Sequence, residues 1–297
     1  MRTIREFFQR KLSLPAEAAG SKLQEIDQRI LFTDPGKIPS LFSEISIDAF
    51  GNLLLDVPAT YPNIKEFFPS MPPNEIQDNW NGRHGTTLLS ASLAIIKTLV
   101  TGYTELTGKD LKSSTVLDYG CGWGRLIRLL YKYVPYENIY GADPWDKSIE
   151  LCKQHGVKAN LAISDYVPNQ LPFERKFDLI YAYSVFTHLS EKTTKTVLST
   201  LRRYMDPNGI LMITIRPKKF WSFHQQGKFK QEMYQMHEKT GFAFTPHLRE
   251  PVNGEITYGD TSISLGYMEE NFPQWELARL IVNRADPYQT LLFLRPA

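Results

Sequence analysis

The sequence predicts a doubly wound α/β fold, in which a mostly parallel sheet carries helices on both faces. From residue 115 onward, strand-like apolar runs alternate with segments of helical period, the pattern of consecutive β-α-β units. The last two apolar runs are joined by residues 283–287 alone, too few for a crossover helix, which predicts an antiparallel C-terminal hairpin. The first apolar run enters a glycine-rich turn, VLDYGCGWGRL at 116–126.

Each element follows from its local pattern. FDLIYAYSV at 177–185 is nearly continuous in apolar residues, as expected of a strand buried on both faces. Leucine and isoleucine recur at helical spacing in 86–107. The predicted strands are 115–119, 138–143, 157–163, 177–185, 209–217, 275–282 and 288–294. The predicted helices are 86–107, 124–134, 148–156, 192–205 and 267–272.

Two regions lie outside this alternation. Residues 1–80 are predicted to form an N-terminal extension of the α/β domain at 81–297, with a basic surface helix at 1–12 and a short hairpin at 48–57 around Gly51. An aromatic-rich insertion at 218–260 follows the fifth strand. Its position suits a cover over a ligand, and a helical addition with its own small core explains it equally well.

Composition excludes some classes of function. The 297 residues carry a formal net charge of +2, and lysine and arginine are spread along the chain, which gives no reason to expect nucleic acid. The cluster Arg216, Lys218 and Lys219 is interpreted as a solvated loop. No apolar run approaches the roughly 18 residues of a membrane span. The two cysteines are not in a zinc spacing and no H-x-x-H is present, so we expect no metal. Two cysteines do not make a disulfide scaffold, which fits a reducing compartment, so we expect a cytoplasmic location.

The glycine turn indicates the ligand. Glycines at a strand's carboxyl end let the backbone approach a ligand closely, and the amides of the following helix suit an anionic group. Asp143, at the end of the second strand, lies where an acid binds two ribose hydroxyls. An adenosine-containing ligand is therefore expected. The spacing is G-x-G-x-G, which departs from the dinucleotide form G-x-G-x-x-G.

Several motifs together resemble the class I S-adenosylmethionine-dependent methyltransferases. The turn resembles their motif I, and IYGAD, ISDY, FDLIYAYSVFTHL and MDPNGILMIT resemble the segments that follow it. The resemblance covers roughly residues 85 to 295 and implies a Rossmann-like seven-stranded sheet. It also implies S-adenosylmethionine as cofactor and S-adenosylhomocysteine as product.

The resemblance assigns roles to individual positions. Asp118 and the turn residues Gly120, Cys121 and Gly122 would hold the methionine end, and Asp143 the ribose. The residues beside the adenine would be Pro144, Trp145, Asp165 and Tyr166. Tyr183 would face the reacting methyl group.

QDNWNGRHGTTLL at 77–89 resembles a segment of bacterial small-molecule and glycan methyltransferases that covers the cofactor's methionine tail. Trp80, Gly82, Arg83 and Thr86 would then contact the cofactor. A capped helix start explains part of this pattern equally well.

Methyl transfer to a hydroxyl needs in-line orientation and benefits from a base. His188 is the first candidate, because its ordinary pKa suits neutral pH; orienting the backbone is an equally good role for it. Glu191, His224 and Asp260 are further candidates. We expect metal-independent O-methylation of a small-molecule or glycan hydroxyl. An amine acceptor, a dinucleotide-dependent oxidoreductase and an inactive binding protein stay open, as does the oligomeric state.

Overall fold

The structure is a computed structural model that describes residues 16–224, 227–282 and 286–297. A seven-stranded sheet forms its centre, in the order β3-β2-β1-β4-β5-β9-β8. Its strands are Val116–Tyr119 (β1), Ile139–Asp143 (β2), Asn160–Ile163 (β3), Phe177–Ala182 (β4), Met205–Ile215 (β5), Trp275–Val282 (β8) and Thr290–Pro296 (β9). Strands β1 to β5 are mutually parallel, whereas β9 pairs antiparallel with both β5 and β8. The predicted fold class and the C-terminal hairpin are confirmed.

Helices cover both faces of this sheet. They are Gly85–Thr107 (α6), Ile127–Leu130 (α7), Asp146–Gln154 (α8), Glu191–Tyr204 (α9) and Leu265–Asn271 (α12). The side chains of β1 alternate, so that Val116 joins the core on one face and Leu117 the core on the other. The predicted helix at 124–134 is much shorter than expected. It begins late because Gly124 has a φ of +75°, which a right-handed helix does not allow.

The described part of the extension is helical. Its helices are Ala16–Arg29 (α1), Ile38–Leu41 (α2), Ile47–Leu55 (α3), Pro62–Phe67 (α4) and Asn74–Asn81 (α5). Apolar residues of α1 to α4 share one core cluster with β1 and α6. The extension therefore packs directly on the sheet domain. The surface helix expected at 1–12 lies outside the described residues.

The hairpin predicted at 48–57 is wrong, because this segment is the helix α3. Ser46 caps its start by accepting a hydrogen bond from the Ala49 amide at 3.1 Å. Gly51 sits inside the helix, where a Cβ would come within 3.0 Å of both Leu89 and Leu93. Glycine therefore serves close packing between α3 and α6 here, and does not form a turn.

Helix α6 is long and apolar enough to cross a membrane by length and composition, although 44% of its most apolar window is buried within the structure. Leucine and isoleucine side chains from several of its turns pack in the same core as the extension and β1. A helix with this pattern is typical of a domain core.

The insertion after β5 contains Trp221–His224 (α10), Gly227–Thr240 (α11) and a two-stranded ribbon of Phe242–Pro246 (β6) and Gly259–Ile263 (β7). Phe220, Trp221, Met233 and Ala243 form a small core of their own. The end of the ribbon pairs with the loop after β4, because the Gly259 amide donates to the His188 carbonyl at 2.8 Å. The small core agrees with the interpretation as a helical addition, and the cover over a ligand stays a prediction.

Candidate active site

Three glycines shape the turn between β1 and α7. Gly120, Gly122 and Gly124 have φ angles of +79°, +54° and +75°, which side-chain-bearing residues rarely adopt. At Gly120 a Cβ would also lie 2.4 Å from Cγ2 of Val185. The Gly120 amide donates to the Ala142 carbonyl at 2.7 Å, so the turn folds over the end of β2.

A cavity of about 490 Å³ lies above this turn, at the carboxyl ends of β1, β2 and β4. That volume falls within the roughly 300–1,000 Å³ of small-molecule sites. Most residues predicted to bind the cofactor line it: Trp80, Asp118, Gly120, Cys121, Gly122, Asp143, Pro144, Trp145, Tyr166 and Tyr183. The sequence motifs therefore meet at one site.

Asp118 lies at the base of this cavity with an exposed fraction of 3%. Burial raises the pKa of its carboxyl to about 7, because a charged carboxylate is disfavoured away from water. Arg125 also lines the cavity, and its Nη1 donates to Ser92 Oγ at 2.8 Å. Its positive charge opposes the effect of burial on Asp118. An acid and a cation together suit the amine and carboxylate of an amino acid.

Asp143 has an ordered carboxylate at the end of β2. Its Oδ1 accepts from the Trp145 amide at 2.9 Å and from Ser148 Oγ at 2.8 Å, while its Oδ2 accepts from the Gly122 amide at 2.9 Å. Burial raises the pKa of Asp143. A carboxylate offers about four acceptor positions, so one remains on Oδ2 for a hydroxyl donor such as a ribose.

Two indoles cover the turn. Trp80, from α5, stacks on Trp145 with ring centroids 4.8 Å apart and planes 17° from parallel. A Cβ at Gly122 would lie 3.4 Å from the Trp80 ring, which shows how closely that ring approaches the turn. Helix α5 is held against the turn by a hydrogen bond from Trp123 Nε1 to Asn81 Oδ1 at 3.0 Å. The extension thus supplies part of the cavity wall.

His188 lines the cavity, but its geometry does not support the predicted role as a base. Its Nδ1 lies 2.7 Å from the carbonyl of Gly259 and must donate to it. Its Nε2, 3.2 Å from Arg216 Nη2, therefore accepts from the guanidinium. Burial, together with the charge of Arg216, lowers the pKa of His188 to about 4. The imidazole is neutral, and its two nitrogens bond to the ribbon and to Arg216.

We expect the His188 ring to stay neutral from pH 5 to pH 8. Carbon-13 histidine chemical shifts would follow its titration, and His188→Gln would identify its resonance among the six histidines. A midpoint near pH 6.5 would contradict the buried, arginine-bonded arrangement and restore His188 as a candidate base.

Two other predicted base candidates, Glu191 and Asp260, do not line the cavity. Glu191, at the start of α9, accepts from Lys195 at 2.6 Å and from Tyr267 at 2.5 Å. Asp260 is buried and pairs with Arg216 at 2.7 Å and with His247 at 3.0 Å. The side chain of His224 lies outside the described residues.

Four predicted cofactor residues also fall outside the lining: Gly82, Arg83, Thr86 and Asp165. Asp165 is exposed, although its neighbour Tyr166 lines the cavity. Arg83 is exposed as well, and its charge acts on Arg125 and Tyr183. No group of three or more histidine, cysteine or acidic side chains that could hold a metal occurs among the described residues. Metal-independent transfer stays a prediction.

Sequence reasoning missed four residues at or behind the cavity: Arg125, Arg216, Arg249 and Tyr258. Arg216 was interpreted as part of a solvated loop, whereas its guanidinium is buried and donates to the Thr187 carbonyl at 2.7 Å. Tyr258 stacks on His188 at 4.9 Å. Arg125 follows the last glycine of the turn directly, a position that could have indicated it.

Part of the chain is similar to known methyltransferases. Residues 116–209 match the family model described as a methyltransferase domain. A segment of 117 residues is 27% identical to O-methyltransferase 3 of Dictyostelium discoideum, covering 37% of this chain and 27% of that protein. A segment of 115 residues is 30% identical to malonyl-[acyl-carrier protein] O-methyltransferase of Halalkalibacterium halodurans, covering 37% of this chain and 42% of that protein. The chain spans less than half the length of either relative.

Among solved structures, an S-adenosylmethionine-dependent methyltransferase from Clostridium acetobutylicum ATCC 824 is similar, with 15% identity and a TM-score of 0.48. The match covers 75% of this chain and 97% of that one. Residues 116–209 therefore belong to a methyltransferase domain, and the sheet that they help to form has the predicted Rossmann-like arrangement. S-adenosylmethionine is the methyl donor of class I methyltransferases, and the residues present fit it: Asp118 and Arg125 suit its amino-acid end, and Oδ2 of Asp143 its ribose.

Proposed function

We propose that the protein is an S-adenosylmethionine-dependent O-methyltransferase that acts on a small molecule or a glycan. The observation that carries the proposal is the position of Asp118 and Asp143, two buried acids that face one cavity over the same glycine turn. They suit the two ends of the donor. The names of both curated relatives describe O-methyltransferases, which favours oxygen over nitrogen as the acceptor atom.

The site works mainly by orientation. Asp118, Arg125 and Asp143 would hold the donor at three points, and Trp80 and Trp145 would exclude water from the turn. A fixed donor lets an acceptor approach in line with the bond that breaks. The wall formed by Tyr183, His188 and Tyr258 stands where the insertion meets the loop after β4, and would contact the acceptor.

Calorimetric titration with S-adenosylmethionine, S-adenosylhomocysteine and NADH tests the proposal. We expect the first two to bind and NADH not to bind, because the glycine spacing departs from the dinucleotide form. Binding of NADH alone would favour an oxidoreductase. An acceptor screen would then separate an enzyme from an inactive binding protein and oxygen from amine acceptors.

We also propose a cytoplasmic location. Both cysteines, Cys121 and Cys152, are unpaired and buried, which suits a reducing compartment.

A further inference from the structure

Among the described residues, the acids and the histidine on the cavity wall are already engaged. In the described part of the chain, the acids and histidine that line the cavity are Asp118, Asp143 and His188. His188 has both nitrogens hydrogen-bonded, to Gly259 and Arg216. Asp143 accepts three hydrogen bonds and faces the ribose position. Asp118 lies at the base of the cavity, where the donor's amine is expected. The acceptor therefore meets no carboxylate or histidine of the described residues that is available as a base.

The cavity wall also offers a cation that the donor does not need. In the described residues, two guanidinium groups line the cavity, Arg125 and Arg249. Arg125 lies on the side of Asp118 and suits the donor's carboxylate. No carboxylate lies within ion-pair distance of Arg249 in the described residues, where its guanidinium is 4.0 Å above the Tyr258 ring. Tyr258 in turn stacks on His188 with planes 5° from parallel. This stack holds Arg249 at the wall.

The net charge of the site with the donor bound also favours an anionic acceptor. The two lining acids balance the two lining arginines. S-adenosylmethionine carries a sulfonium, an ammonium and a carboxylate, so the bound donor is a net cation. An anionic acceptor would neutralise that charge, and the attraction between opposite charges would favour its binding.

We propose that the methyl acceptor is a carboxylate, which Arg249 binds and which is methylated to an ester. This proposal rests on the proposed function and names its substrate class. One carboxylate oxygen attacks the methyl carbon, the new O–C bond forms as the S–C bond breaks, and the bonding pair stays on sulfur. The products are a methyl ester and neutral S-adenosylhomocysteine. No proton is released, so the absence of an available base is no obstacle.

Binding of matched probes to the protein saturated with S-adenosylhomocysteine tests this assignment. Benzoate and hexanoate would be compared with benzamide and hexanamide, which have nearly the same shape without the charge. We expect the carboxylates to bind roughly tenfold or more tightly than the amides, because hydrogen bonds to charged groups contribute more than neutral ones. Arg249→Gln should remove this preference.

Arg29→Gln is the matched control, since it removes the same charge from an exposed helix residue paired with Glu25. It should keep the preference for carboxylates. Equal binding of carboxylates and amides, binding of neither, or an unchanged preference in Arg249→Gln would overturn the assignment. S-adenosylhomocysteine affinity is measured in every variant. If a variant still binds S-adenosylhomocysteine, a failure of the carboxylate assignment leaves the proposed function intact. If the unaltered protein does not bind S-adenosylhomocysteine, the proposed function itself is wrong.

Discussion

Replacing Asp143 with alanine is expected to weaken S-adenosylmethionine binding by roughly 10- to 100-fold, the loss of one hydrogen bond to a charged group. The open acceptor position on Oδ2 suits a ribose hydroxyl, and the bond from the Gly122 amide to the same oxygen fixes it beside the turn. Calorimetric titration measures the affinity. Circular dichroism and thermal unfolding show whether the variant is folded.

Ser148→Ala is the control for this variant. It removes one of the hydrogen bonds to Oδ1 of Asp143 and leaves Oδ2 in place. A structural role alone would make both variants lose affinity in proportion to their loss of thermal stability. A ribose-binding role would separate them, with Ser148→Ala nearly as tight as the unaltered protein. Unchanged affinity in Asp143→Ala would rule out the ribose assignment.

The parts of the fold that local patterns dictate were predicted well. Strands β1 to β5 and the turn at Gly120 could be identified because apolar runs and glycine positions carry the signal within a few residues. Gly51 misled the prediction for 48–57, because a local turn signal and close helix packing both favour glycine. Only the position of Leu89 and Leu93 on the neighbouring helix distinguishes close helix packing from a turn.

The cofactor side of the site could be predicted and the acceptor side could not, for a related reason. Asp118 and Asp143 stand at strand ends beside the turn, at motif positions readable in the sequence. The state of His188 depends on Arg216, which is 28 residues away, and on Gly259, which is 71 residues away. Arg249 reaches the cavity through the pairing of the ribbon with the loop after β4. No local pattern encodes such contacts.

The buried carboxyl of Asp118 is expected to make cofactor binding depend on pH. Its pKa of about 7 means that it is largely protonated at pH 6 in the unliganded protein. The ammonium group of the donor favours the carboxylate, so binding below pH 7 must release a proton. Affinity should therefore rise with pH up to about 7 and level off above it, by linkage. Asp143 and Arg125 also act on this carboxyl, and Tyr181 is its neighbour on β4.

Calorimetry at pH 6 in two buffers of different ionisation enthalpy measures that proton directly. Asp118→Asn should bind more weakly and lose the buffer dependence. The effect of pH on stability has the opposite direction. The pKa of Asp118 is higher in the folded state than in the unfolded chain, where it is about 4, so the free energy of unfolding falls as pH rises from about 4 towards 7. Unliganded Asp118→Asn should accordingly unfold at a higher temperature than the unaltered protein at pH 8, and at a similar temperature at pH 4. Affinity that does not change between pH 5.5 and 7 would show that Asp118 is already ionised before the donor binds. Binding would then release no proton, and the prediction would be wrong.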